Sequence, residues 1–231
     1  MTARPVALVT GASRGIGRAI ARRIADRYRI IATARTEAEL ESLKAEITGA
    51  GGECTSIVMD LAHPAEIERA LSGLDVDVLV NNAGVGYLKP FLETTAAEWH
   101  TTVDVNLNAL YHVTRAVLPG MVARESGHVV LIGSIAGRNA FVGGTCYAAT
   151  KHALMGFGES LMLEVRDAGV KVSTIMPGSV ATDFNDKGDQ RKGWELTSED
   201  VAETVAQVLD TPQQVLIHRV EVRALSPQRR R

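Results

Sequence analysis

The chain has 231 residues, 45% hydrophobic and 23% charged, and its 25 Lys and Arg against 27 Asp and Glu leave a formal net charge of −2. That composition excludes a disordered chain and a membrane-spanning one, and it supplies no basic field for nucleic acid. Cys54 and Cys146 are too few for a disulfide framework and lack metal-ligand spacing; with no secretory-type N-terminal segment, the expected location is cytoplasmic.

In chain order, "PVALVT" reads as a buried strand and "IGRAIARRIADR" as a helix with apolar residues three and four apart. "RIIATA" is a second strand, "TEAELESLKAEITGAG" a capped helix that stops at glycines, "CTSIVMD" a third strand and "PAEIERALSGL" a helix opened by proline. "VDVLVNNAG" is a fourth strand entering a turn. A long helix over "TAAEWHTTVDVNLNALYHVTRAVLPGMVARE", a strand "HVVLIGS", a helix "TCYAATKHALMGFGESLMLEVRDAG" and a strand "VKVSTIMPG" follow. Short apolar strands alternating with helices predict a doubly wound α/β fold of Rossmann type, with a mostly parallel sheet and helices on both faces, formed by one domain over 1–231. The polar stretch 179–197 is expected to be a substrate lid, and 225–231, ending in "RRR", a flexible tail.

After the first strand comes "TGASRGIG", Thr10 to Gly17. Its glycines at 11, 15 and 17 permit positive φ and close backbone approach, and the helix that follows offers unpaired N–H groups to a phosphate. The spacing is neither G-x-G-x-x-G nor a Walker A pattern, but its place at the first strand-to-helix turn points to a dinucleotide.

The order T-G-x-x-x-G-x-G, then "NNAG" at Asn81 to Gly84, then Ser134 after a later strand, then Tyr147-x-x-x-Lys151 resembles the short-chain dehydrogenase/reductase (SDR) family, from about Val6 to Thr182. The resemblance implies that Gly11, Gly15 and Gly17, with Thr10, Ser13, Arg14 and Ile16 of the same turn, line the dinucleotide phosphates. It implies that Asn82, Ala83 and Gly84 close over the cofactor, that Asp60 and Leu61 meet the adenine, and that Pro177, Gly178, Val180 and Thr182 of "PGSVAT" lie over the nicotinamide. It further implies that Lys151 bonds the nicotinamide ribose, that Asn106 in "DVNLNAL" supports a proton-relay water, and that the protein is a homo-oligomer, tetramer or dimer, built on the two long helices.

Charge argues the choice of cofactor. An acid at the end of the second strand bonds a ribose 2′-OH and repels a 2′-phosphate. Here Ala34 stands at that end, with Arg35 beside it and Arg14 in the glycine turn. Two guanidiniums give forked, charge-assisted bonds to phosphate, so NADP(H) is expected in preference to NAD(H).

Tyr147 and Lys151 are four residues apart, on one side of a helix. A nearby ammonium favours the phenolate, so the lysine is expected to lower the tyrosine pKa. Tyr147 then serves as general acid in carbonyl reduction and as base in the reverse direction, while Ser134 holds the substrate oxygen. His152 points away from Lys151, and Cys146 is read as a small buried hydrophobe. Ile132 and Met162 stand where a G-x-S-x-G elbow around Ser134 or Ser160 needs glycine, which argues against a serine hydrolase. The histidines are scattered, so no metal is expected.

The leading expectation is an NADP(H)-dependent oxidoreductase acting on a ketone, aldehyde or secondary alcohol; the alternative is an NADPH-binding regulatory protein with little turnover. Tyr87, Leu88, Phe91, Ile135, Phe141, Phe184 and Trp194 are pocket candidates, and Lys89, Arg138 and Arg191 leave an anionic substrate group open. The C-terminal segment lacks the V-D-G-G ending of ketoacyl-carrier-protein reductases and looks more similar to hydroxy-acid or serine-dehydrogenase-like members.

Overall fold

The computed structural model describes residues 4–182, 184 and 193–226. Strand β1 (Val6–Thr10), helix α1 (Gly15–Ile24), β2 (Arg29–Ala34), α2 (Glu37–Gly49), β3 (Cys54–Val58), α3 (Pro64–Leu71) and β4 (Val78–Asn81) form the first half. The second half comprises α4 (Ala96–Val103), α5 (Ala109–Ala123), β5 (Gly127–Ile132), α6 (Thr145–Val165), β6 (Val170–Pro177), α7 (Ser198–Leu209) and β7 (Arg219–Val222). The seven strands make one parallel sheet in the order β3-β2-β1-β4-β5-β6-β7.

Alternation along the strands divides the core in two. Ala7 and Val9 of β1 point into a cluster with Ile20 and Ile24 of α1, Leu40 and Leu43 of α2, and Val201 and Val205 of α7. Val6 and Leu8 point to the other face, against Ile67 of α3, Val113 and Val117 of α5, and Leu154 and Leu161 of α6. The central strands thus carry apolar residues on both sides, as a parallel sheet covered by helices on both faces requires, while edge strand β7 alternates Arg219 and Glu221 with its valines. The order reverses between β1 and β4, and that switch point opens a crevice at the carboxyl ends of the strands.

Three elements depart from the sequence reading. The long helix is interrupted by a π-helical turn at Asp104–Asn108 between α4 and α5, a wider coil often found at functional sites. The last helix and strand were not predicted. Helix α7 is announced by a capping box in which Thr197 and Asp200 satisfy each other's backbone N–H groups. Val220 and Val222 of β7 pack on the core from the sheet edge. Of the expected lid, 183 and 185–192 lie outside the described residues, as do 227–231 of the expected tail and Arg191. Among the described residues no helix is long and apolar enough to cross a membrane.

The base of the sheet holds a buried histidine. His128 Nε2 lies 2.8 Å from Ser173 Oγ, and that hydroxyl donates to the Ile217 carbonyl at 2.6 Å. The serine oxygen therefore accepts from the ring. Burial, with the Lys171 ammonium nearby, depresses the imidazole to about 3. Below pH ~6.5 the unfolded chain takes up a proton that the native state refuses, so this site costs about 1.4 kcal/mol of stability per pH unit as pH falls towards the depressed value. Urea unfolding at pH 6 and pH 5 is expected to show a smaller loss for His128→Gln than for the wild type; equal losses would contradict it.

Candidate active site

The crevice is built by joining two turns. The Oγ1 of Thr10 accepts the N–H groups of Asn82 (3.0 Å) and Ala83 (3.1 Å), and Asn82 Nδ2 donates to the carbonyls of Thr10 (2.9 Å) and Gly11 (3.1 Å). Thr10 and Asn82 thus spend their side chains bracing the loop, and what they offer a ligand is the loop's position. Gly11 adopts φ +63°, and a Cβ there would fall 2.9 Å from Ala83 Cα. A Cβ on Gly17 would lie 2.3 Å from the Gly11 carbonyl oxygen, so no larger residue fits.

Helix α1 opens on this turn with no acidic residue in its first turn and no side-chain cap. Its N–H groups face the crevice free of a competing carboxylate. Ser13 accepts a bond from Arg18 through its carbonyl, and Ile16 packs against the core. Arg14 and Arg35 are exposed, and among the described residues their guanidiniums have no hydrogen-bond or ion-pair partner. Ala34 is buried at the strand end. Asp60 accepts from the Ala62 N–H at 3.0 Å, Leu61 is buried, and Gly84 lies against the Asn106 side chain. On the other side, Gly178 donates to the Val222 carbonyl and Val180 bridges Leu196. Thr182 comes within 3.7 Å of where a Cβ on Gly15 would sit, so this segment closes over the glycine turn. Bare backbone, an uncapped helix end and two unpaired guanidiniums fit a dinucleotide carrying a 2′-phosphate.

Beside the crevice stand the three residues proposed for the chemistry. Ser134 ends the loop after β5, where its Oγ accepts the Ala136 N–H at 3.1 Å. Tyr147 lies in the first turn of α6, with the Ser134 hydroxyl near enough to favour its ionised form. Burial raises its phenol pKa, and the serine hydroxyl pulls the other way. Lys151 is buried, and its Nζ donates to the Ile132 carbonyl at 2.9 Å while lying 5.7 Å from the Tyr147 ring centroid. Burial lowers its pKa to about 8. The expected lowering of the tyrosine by the lysine is therefore corrected for this geometry: the ammonium is committed to a backbone carbonyl, and desolvation of the phenol prevails.

Asn106 sits in the π turn, buried, and its side chain is fully engaged. Its Oδ1 accepts the Val85 N–H (2.8 Å), and its Nδ2 donates to the Val85 carbonyl (2.9 Å) and to Thr150 Oγ1 (3.0 Å). Thr150, which sequence reasoning missed, donates in turn to the Tyr147 carbonyl at 2.9 Å. The chain Val85, Asn106, Thr150, Tyr147 ties the loop after β4 to the catalytic helix.

Of the other candidates, Lys89 is paired with Glu98 at 2.7 Å, and Arg138 and Arg223 share Glu221. Phe184 stacks edge-on against Tyr147, whereas Phe91 is largely exposed. His152 turns to the Ala148 carbonyl, and Cys146 is buried. Among the described residues no group of three or more His, Cys, Asp or Glu gathers as a metal site.

A switch-point crevice with a glycine cradle, flanked by a serine, a tyrosine and a lysine, defines a dinucleotide-dependent oxidoreductase. The family model described as short chain dehydrogenase matches residues 5–193, and the chain belongs to the short-chain dehydrogenase/reductase family. It is 38% identical over 235 aligned positions to the NADP-dependent 3-hydroxy acid dehydrogenase of Salmonella typhi, covering 94% of each chain. Among solved structures it is similar to a metagenomic short-chain oxidoreductase in complex with NADP (37% identity, TM-score 0.86, 96% of this chain and 98% of that one). It is also similar to the closed form of serine dehydrogenase complexed with NADP+ (35% identity, TM-score 0.88, 98% and 99%).

Proposed function

We propose that the protein is an NADP(H)-dependent oxidoreductase that interconverts a secondary alcohol and its carbonyl, with Tyr147 as general acid/base, and that its substrates are 3-hydroxy acids or the matching oxo acids. The placing of Tyr147 beside Lys151 and the Ser134 hydroxyl, at the mouth of the glycine-lined crevice, carries this reading. The relatives named for NADP and for hydroxy acids or serine support it.

Gly11, Gly15 and Gly17 hold the phosphates with backbone N–H groups, Arg14 and Arg35 hold the 2′-phosphate, and Asp60, Gly84, Pro177, Gly178, Val180 and Thr182 enclose the rest. Bound NADP(H) supplies or accepts the hydride. Ser134 donates to the substrate oxygen and fixes its direction. In reduction Tyr147 gives its phenolic proton to that oxygen as negative charge develops; in oxidation the phenolate takes the alcohol proton. Lys151, held beside the ring by the Ile132 carbonyl, reaches towards the ribose. Asn106 acts by position, because both Nδ2 hydrogens are already donated.

The same reading makes the protein a cytoplasmic homo-oligomer, supported by the exposed Tyr111 and Leu163 on α5 and α6. A strictly monomeric mass in solution would oppose that part. The principal test is spectrophotometric: NADP+ reduction with a panel of 3-hydroxy acids and simple secondary alcohols. Turnover of the acids supports the proposal. Tight NADPH binding with no turnover across the panel would replace it with the regulatory reading.

A further inference from the structure

Tyr147 stands near two glycines, and each lies beneath a phenylalanine ring. A Cβ on Gly86 would fall 2.7 Å from Phe184 Cε1 and 3.1 Å from Tyr147 Cδ2; one on Gly144 would fall 2.6 Å from Phe141 Cζ. Both rings are therefore seated directly on backbone. Phe184 meets the Tyr147 ring edge to face, centroids 5.4 Å apart at 62°. Gly144 is the N-cap of α6, so Phe141 rests on the helix end that carries Tyr147. The turn from Phe141 to Gly144 is closed by the Gly144 N–H on the Phe141 carbonyl at 3.1 Å. Within it Gly143 has φ +79°, and a Cβ there would lie 3.6 Å from the Lys89 backbone, which brings this turn against the loop that carries Gly86.

Despite that packing both residues stay partly exposed, Phe141 at 44% and Phe184 at 37%. The charge in the neighbouring loop is already compensated, since Lys89 is held by Glu98, which also caps α4. Among the described residues, the mouth beside the tyrosine thus offers aromatic surface and a lysine that is already paired.

We infer that Phe141 and Phe184 form an apolar recognition site for the substituent on the reacting carbon, selecting an alkyl or aryl group over a hydroxylated one. This rests on the function proposed above and narrows it. A methyl group placed against the rings leaves water favourably, whereas a hydroxyl of the same size loses its water to ring carbons that cannot accept its proton in kind. The glycine seats are part of the device, because a side chain at 86 or 144 would displace the ring above it.

The test compares two carbonyl substrates, alike except for ethyl or hydroxymethyl on the reacting carbon. For the wild type, kcat/KM is expected to be higher for the ethyl compound by about tenfold or more. Phe184→Asn and Phe141→Asn are each expected to shrink that ratio several-fold, and Phe184→Leu to keep most of it. A wild-type ratio of one or less would overturn the inference while leaving the oxidoreductase reading intact. Asparagine variants that slow both substrates equally would also overturn it, because they would reduce the rings to a structural role. Absence of turnover with either compound and with the whole hydroxy-acid panel would overturn the proposed function, and this inference with it.

Discussion

Replacing Tyr147 by Phe is expected to lower kcat for carbonyl reduction by roughly 10²- to 10⁴-fold, the range set by loss of a positioned general acid. The substitution removes one oxygen and leaves the ring that packs against Phe184, so folding and NADPH affinity, read by thermal melting and by cofactor fluorescence, should change little. Ser134 is left in place to hold the substrate oxygen. The pH dependence separates a proton-transfer role from a packing role. Burial raises the phenol pKa, so the neutral, proton-giving form persists through neutral pH and reduction should hold there. Alcohol oxidation needs the phenolate and should accelerate as pH rises above neutral. That alkaline rise should vanish in the Phe variant, and a variant that retains both the rate and the rise would refute the assignment of Tyr147.

Arg35→Asp is expected to lower the ratio of kcat/KM with NADPH to that with NADH by on the order of 10²-fold. A charge-assisted bond to the 2′-phosphate contributes about 1.5–3 kcal/mol, and the new carboxylate adds repulsion to the loss. The same carboxylate beside the end of β2 would accept a bond from the ribose 2′-OH, so NADH efficiency should rise while NADPH efficiency falls. Arg35 is exposed and bonded to no described residue, so the change should leave stability nearly untouched. An unchanged cofactor ratio would show that Arg35 does not read the phosphate.

What was legible in the sequence had short range. Glycines 11 and 17 announced a backbone that no side chain could share, as the clash of a Cβ on Gly17 with the Gly11 carbonyl shows, and Gly15 a turn at φ +54°. Continuous apolar strands announced a sheet covered on both faces. Helix α7 escaped because the polar stretch before it masked a box of Thr197 and Asp200 followed by Val201, Ala202 and Val205. The π turn escaped because one extra residue in a coil hardly disturbs the apolar periodicity of "DVNLNAL". The tyrosine's electrostatics were misjudged because Lys151 finds the carbonyl of Ile132, a contact fixed by how β5 lies under α6 rather than by four-residue spacing. Thr150 had no reading at all until Asn106 was seen to reach it across two elements.

The four hydrogen bonds that Thr10 and Asn82 place between the glycine turn and the end of β4 fasten the cradle to the centre of the sheet before any ligand arrives. A loop already held in its bound shape loses little freedom when a dinucleotide enters, so more of the interaction energy appears as affinity. The entropic cost of association then falls mainly on the cofactor itself and on the exposed side chains of Arg14 and Arg35.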